Sequence, residues 1–298
     1  MTAVEHPFPS GEQYEIVLGE QRAVVTEVGA TLREYISAGR ALIDGFAVSE
    51  ICSGGRGQVL MPWPNRIRDG RYEFAGQPEQ LALSDPHLHN ASHGLVRWAA
   101  WRPLEHTHDR LRLGLTLHPQ PGYPFLLQLA VEYVLGAGGL RTTFSAHNLG
   151  AEAAPFGAGC HPYLRPRAGF VDGAELRLPA AAYLEMDERL IPTGRRLPVA
   201  GSPYDFQATR PVGDTVFDLC FVEFLEPWVE FDGLRLSWDA NLGFLQVYSG
   251  DGLAPDRRRH GLALEPMSCP ADAFNSGDGL VVLAPGGYWS GSWTLGAI

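Results

Sequence analysis

Short alternating runs, each cut off by Gly, Pro, Asn or Asp, recur along almost the whole chain, and helical periodicity is scarce. They occupy 14–18, 23–28, 31–36, 111–117, 125–135, 140–147, 174–178, 228–231, 234–238, 243–248, 279–283 and 288–295. A period of two sends successive side chains to opposite faces of an extended backbone. Many such strands at close spacing predict an all-β sandwich or barrel. Gly138-Gly139 and Asp232-Gly233, each between two runs, are hairpin signals, and 35 Gly and 23 Pro supply the turns. No repeat, low-complexity tract or linker divides the chain, so residues 1–298 are expected to form one domain.

Composition narrows the function classes. At 45% hydrophobic residues there is ample material for a core, yet no run approaches the ~18 apolar residues of a membrane span. Residues 1–7 lack a basic region followed by an apolar run, which argues against a signal peptide; a soluble cytoplasmic protein is expected. Cys52, Cys160, Cys220 and Cys269 are widely spaced, with no CxxC pair to suggest a disulfide framework or a zinc knuckle. A net charge of -11 repels phosphate backbones and anionic membranes, so neither nucleic acid nor membrane is expected as a partner. All 23 basic residues are Arg. The absence of Lys excludes Schiff-base chemistry, pyridoxal phosphate attachment and a Walker-type phosphate loop.

Two stretches stand out for chemistry. In 261–275, Leu262 and Leu264 alternate with Gly261, Ala263 and Glu265, so the leucines face the core while Glu265 shares its face with small residues. Pro266 biases Glu265 toward extended backbone. In 156–162, Phe156, Ala158 and Cys160 share one face, and Gly157, Gly159 and His161 share the other, again with a proline following. A carboxylate and an imidazole, each on a cleared strand face, form a candidate acid/base pair. Taken singly, a strand-end Glu is usually solvated and a lone His usually structural.

Other polar concentrations are less specific. In 61–70, two prolines present Asn65 and Arg66 rigidly, and Arg suits hydroxyls, carboxylates or phosphates; a surface ion pair is the ordinary alternative. His87, His89 and His93 lie in a turn-rich loop without acidic or thiol ligands at zinc spacing, so metal is the minority reading. His6, His106, His108, His118 and His147 are read as surface or structural, and 257–260 as a solvated charge run. Asp214 and Asp218 lie four apart in 212–219, where either could meet a ligand or cap a helix.

Together these stretches resemble the aldose 1-epimerase (mutarotase) family. The resemblance rests on Pro64-Asn65-Arg66-Ile67 with Gly70, Asn90, His93-Gly94-Leu95, His161-Pro162-Tyr163 and Asp214-x-x-Phe217. It continues through Glu265-Pro266, Pro270-Ala271-Asp272-Ala273-x-Asn275 and the closing Leu283-Ala284-Pro285-Gly286, all in the family's order. Met267 departs from it, standing where members often carry Gln.

The resemblance implies a large antiparallel β-sandwich and interconversion of the α and β anomers of a hexopyranose such as galactose or glucose. It implies Glu265 as general base at the anomeric hydroxyl and His161 as general acid at the ring oxygen. Arg66, His93 and Asn65 would bind substrate, as would Asp214, preferred over Asp218 on the Asp-x-x-Phe spacing. No cofactor or metal is expected, and the partner is a small-molecule sugar, with the protein a monomer or homodimer. Arg66, Arg68, Arg71 and Arg97 leave open a phosphorylated or acidic sugar. A noncatalytic carbohydrate-binding protein is the competing class, and a glycoside hydrolase fits less well because the second carboxylate is missing.

Overall fold

The computed structural model describes residues 8–298; His6 and the rest of 1–7, read above for targeting, lie outside the described residues. Three larger sheets, antiparallel at every pairing, carry most of the chain. The first has nine strands, in the order Arg102–His106, Arg110–Leu117, Leu127–Gly136, Gly139–Asn148, Tyr288–Ala297, Leu234–Trp238, Trp228–Phe231, Glu175–Arg177 and Arg210–Pro211. The second runs Pro192–Pro198, Ala180–Met186, Asp218–Phe224, Phe244–Tyr248, Leu262–Met267, Gly159–Cys160 and Val59–Leu60, with Tyr163–Leu164 also pairing onto Leu262–Met267. A four-stranded sheet comprises Gln13–Leu18, Gln21–Thr26, Leu32–Ser37 and Arg40–Ala41.

Alternation decides which faces meet. Register aligns Leu113, Val131 and Phe144 across neighbouring strands of the nine-stranded sheet, all fully buried. Leu219, Phe221, Leu245, Val247, Leu262 and Leu264 from the eight-stranded sheet join the same apolar cluster, as do Ile16, Val25 and Tyr35 from the four-stranded one. This continuous core is what the period-two runs predict. Each such side chain contributes roughly 1.5–3 kcal/mol through removal from water.

Turn chemistry follows the sequence closely. Asp232 and Gly233 both take positive φ (49° and 78°), as a two-residue primed turn requires. The other hairpin turns one residue earlier than expected, through Ala137 and Gly138, because Gly139 already pairs with Gly136. Residues 257–260 are only in part a solvated run: Arg258 is exposed, but Arg259 is 9% exposed and binds Asp172, Asp251 and the carbonyls of Gly213 and Thr215, while Arg257 pairs with Asp44. Among the described residues no helix is long and apolar enough to cross a membrane.

The second face of the eight-stranded sheet positions the site. Register lines up Cys220, Gln246 and Glu265 in one row, and Asp218, Tyr248, Ala263 and Tyr163 in the next. Beyond Glu265 the face turns apolar, with Phe244, Met267, Val222 and Leu184 in a separate small cluster. Met267 therefore sits where a glutamine would have to bury its amide among hydrocarbon.

Candidate active site

A cleft of about 420 Å³ opens over the polar half of that face, within the size range of small-molecule pockets. Of the expected residues, Asn65, Arg66, His93, His161 and Glu265 all line it. Asp214 does not: it is exposed, one residue after the Gly213 carbonyl that Arg259 grips. Asp218 takes its place in the wall, because the strand begins there and alternation turns its side chain toward Gln246 and Tyr248. Sequence reading missed Gln246, Tyr248, Asp85 and the Gly54-Gly55 backbone.

His161 and Glu265 meet at the floor. Nε2 of the imidazole lies 3.3 Å from Oε1 of the carboxyl, with side-chain exposures of 8% and 2%. Nδ1 of His161 and Oε2 of Glu265 are buried with no partner among the described residues. Burial pushes His161 down to about 3, and the positive charges of Arg97 and Arg66 act in the same sense. Burial also raises Glu265 well above the usual carboxylate range, with Asp218 adding to the rise and Arg66 opposing it. Each shift disfavours a lone charge. Between them the two groups therefore hold one proton over a wide pH range, as a net-neutral pair.

The imidazole is closely packed by two neighbours. Tyr163 stacks on it, with centroids 4.9 Å apart and planes at 16°. Gly55 also lies against the ring, and its hypothetical Cβ would come within 2.9 Å of His161 Cδ2. Its φ of 74° is one that glycine adopts without strain. Tyr163 Oη donates to the Gly54 carbonyl at 3.0 Å, tying the stacking ring to the glycine loop. Open space next to His161 is thus not the work of Gly157 and Gly159, as parity suggested. A Cβ at Gly157 would come within 2.5 Å of Cys269 Sγ and 3.0 Å of Pro64, and one at Gly159 within 3.0 Å of Met267 Cγ and 3.1 Å of Pro64, so these glycines admit the Pro64 ring and the 266–269 segment instead.

The Pro64–Arg66 segment carries the opposite wall. Asn65 takes a left-handed φ of 55°, its carbonyl accepts from His93 N–H at 2.7 Å, and its Oδ1 accepts from Arg66 at 3.2 Å. Arg66 Nε donates to Asp85 at 3.1 Å. Asp272 pins the segment from behind: its N–H donates to the Arg66 carbonyl at 2.6 Å, and its carboxylate accepts from Arg68 N–H at 2.9 Å and from Asn275 Nδ2 at 2.8 Å. The Pro-Ala-Asp-Ala-x-Asn stretch thus supports the site without lining it.

The remaining cleft residues divide by charge. Asp218 accepts from Gln246 Nε2 at 2.8 Å, leaving Gln246 Oε1 without a partner. Burial raises the Asp218 carboxyl, against the pull of Arg66 and that hydrogen bond. His93 packs edge-on to His161 at 5.6 Å and is held below its ordinary pKa by burial and by the charges of His161, Arg97 and Arg66. His87 lies on the rim and His89 pairs with Asp69 at 2.8 Å, so the three histidines of this loop do not converge on one point. Arg68 and Arg71 point elsewhere, to Asp187 and Gln80.

An imidazole and a carboxyl in contact, in a pocket of hydroxyl-binding groups, suit proton transfer on a small polyol. A sequence model of the aldose 1-epimerase family matches residues 12–295. The uncharacterized protein YihR of Escherichia coli is 36% identical over 283 residues, covering 93% of this chain and 90% of that protein. Galactose mutarotase of Homo sapiens is 28% identical over 169 residues, 54% of this chain and 48% of that protein, so the alignment spans about half of each. The crystal structure of an aldose epimerase homologue from C. elegans superposes with a TM-score of 0.84 at 18% identity, covering 96% of this chain and 99% of that one. With a family match running almost from end to end and the same β architecture, the chain belongs to the aldose 1-epimerase family of isomerases.

Proposed function

We propose that this enzyme exchanges the α and β anomers of a hexopyranose, with Glu265 as base and His161 as acid. The observation that carries the reading is the 3.3 Å contact between Nε2 and Oε1 at the floor of the cleft. The anomeric hydroxyl oxygen and the ring oxygen are bonded to the same carbon, so an acid and a base in contact reach both at once. At rest the pair's proton lies on Glu265; its transfer across the 3.3 Å contact to Nε2 leaves a carboxylate, which removes the O1 hydrogen. As the C1–O1 bond gains carbonyl character, the C1–O5 bond breaks and O5 takes the proton from Nε2. Rotation about C1–C2 turns the other face of the aldehyde to O5, and the reverse transfers close the ring.

The pair begins and ends with one proton, so the cycle needs no net exchange with solvent. With no proton it lacks an acid, and with two it lacks a base. Burial suppresses both of those forms. Each well-placed proton-transfer group is worth roughly 10²–10⁴-fold in rate. Arg66, Asn65, His93, Asp218 and Gln246 would hold the hydroxyls and keep the opened chain oriented.

The test follows optical rotation, or anomeric exchange by NMR, of freshly dissolved α-glucose and α-galactose. Faster equilibration that is lost in Glu265→Gln and in His161→Asn, with sugar binding retained, is the expected result. Binding without acceleration in the wild type would favour a noncatalytic sugar-binding protein. Release of reducing ends from a glycoside would favour hydrolysis.

A further inference from the structure

We propose that the pyranose carries an anionic group on C6, and that Arg97 receives it. This rests on the anomer-exchange reading above and adds a substrate class to it.

Apart from the histidines and Glu265, the charged side chains of the cleft are Arg66, Arg97, Asp85 and Asp218, the last of which accepts from Gln246. Arg66 is balanced by Asp85 at 3.1 Å. Arg97, which also lines the cleft, has no carboxylate within ion-pairing distance among the described residues. Its two terminal nitrogens reach only neutral oxygens, at the long distances of 3.3 Å (Gln58 Oε1) and 3.4 Å (the Ser92 carbonyl). Its Nε is buried with no partner. A guanidinium carries five donors and stays charged, so leaving one part-buried and under-bonded is costly unless something arrives to complete it.

This chain holds a purely structural arginine differently. Arg56, also buried, reaches the Gly45 carbonyl, the Ser53 carbonyl and Ser53 Oγ at 2.6–3.0 Å through three different nitrogens. An Arg97 that served only to brace its loop would be expected to show the same short contacts. Its weak ones instead leave the planar fork available for an oxyanion, which it can meet with two parallel N–H donors.

Position selects C6. Arg97 is tied to the imidazole: its partner Gln58 accepts from His161 N–H at 3.1 Å through the backbone carbonyl, and its other partner, the Ser92 carbonyl, directly precedes His93. Arg97 therefore sits on the imidazole side of the pair, the side assigned to the ring oxygen. The ring oxygen is bonded to C5, which carries C6, so a C6 substituent extends toward that side and away from Glu265. The Gly54 and Gly55 amides, also in the cleft, donate to no protein acceptor among the described residues and offer two further donors there. The net charge of -11 does not contradict this, because charges beyond about 8–10 Å are screened at physiological salt. Carboxylate, phosphate and sulfo groups all share the oxyanion that this fork recognises.

The experiment measures anomeric exchange for glucose, galactose, glucuronate, glucose 6-phosphate and glucose 6-sulfate, in the wild type, Arg97→Gln and Arg97→Lys. One anionic sugar should have the highest kcat/KM, and its identity assigns the group. Arg97→Gln should shrink the anionic-to-neutral ratio of kcat/KM roughly 10- to 100-fold, the usual worth of a charged hydrogen-bonded contact. Arg97→Lys should restore part of it. Neutral hexoses used as well as every anionic one would overturn the inference. So would an Arg97→Gln variant that loses activity on both classes equally, since that is the signature of a structural residue. Acceleration of none of the five sugars would overturn the anomer-exchange reading itself, and the inference with it.

Discussion

Replacing the buried carboxyl with its neutral isostere should stabilise this protein, and by an amount that depends on pH. Above its ordinary pKa an unfolded Glu265 has released its proton, and above about 6.5 so has an unfolded His161. The folded pair retains one proton, because burial holds the carboxyl well above its usual range and the imidazole at about 3. Folding therefore takes up a proton above pH 6.5, and stability falls as pH rises there, by about 1.4 kcal/mol per unit. Between the two ordinary values, unfolded and folded pairs each hold one proton and the slope is zero. In Glu265→Gln only His161 remains. Its depressed folded value makes stability rise with pH up to about 6.5 and level off above it. Subtracting one curve from the other, the advantage of Glu265→Gln widens by about 1.4 kcal/mol for each unit above the ordinary carboxyl pKa, until the folded pair loses its proton. From pH 5 to pH 8 the gap therefore grows by at most about 4 kcal/mol, or some 8 °C in melting temperature at about 2 °C per kcal/mol for a domain of this size. Urea midpoints at four pH values, with equal m-values, measure it. A gap that stays constant with pH, or a wild type more stable throughout, would show that the carboxyl is not held neutral by its surroundings.

Other consequences are direct. The pH profile of kcat/KM should show no limb near 6.5, since the two-proton form appears only as pH falls toward about 3 and the alkaline limb follows the raised carboxyl; a fall centred near 6.5 would mean an ordinary solvated imidazole. Gly55→Ala should lower kcat roughly 100-fold for only about 1–2 kcal/mol of stability, because its Cβ presses on His161 from a φ of 74°; kinetics and urea melts on the same preparation separate the two effects. Asp218→Asn should raise KM for the sugar about 10-fold or more, while Asp214→Asn, exposed and outside the cleft, should leave it within error.

The two aspartates show where sequence reading loses its grip. Spacing to Phe217 favoured Asp214, but a spacing records only distance along the chain, and Asp214 falls in the turn before the strand. The informative signal was alternation in Asp218–Phe224, where Leu219 and Phe221 go to the core and Asp218 and Cys220 to the cleft face. The unbroken apolar run Leu219-Cys220-Phe221-Val222 masks that period in the sequence. Gln246 was legible on the same logic, as a polar residue sharing the face of Phe244 and Tyr248 in a strand otherwise buried. Asp85 and the Gly54-Gly55 loop carried no such signal, since nothing local to an irregular loop records which side chain it will cover.

Parity fixes the direction of Glu265 and not that of His161, for a physical reason. Leu262–Met267 lies between strands on both sides, so its pleat is fixed by ladders and parity carries directly into space. Gly159–Cys160 is two residues long and His161 lies past its end, where parity no longer constrains direction. What orients the imidazole instead is the stacked Tyr163 ring and a glycine more than a hundred residues away, contacts that exist only once the sheet has formed. The same distinction applies to charge. Sequence offered four arginines as equals, and the fold separated them: Arg68 and Arg71 leave the cleft for Asp187 and Gln80, Arg66 is met by Asp85, and Arg97 remains without a counter-ion among the described residues. Counting charges bounds a protein's partners, but specificity lies in which charge the fold leaves unanswered.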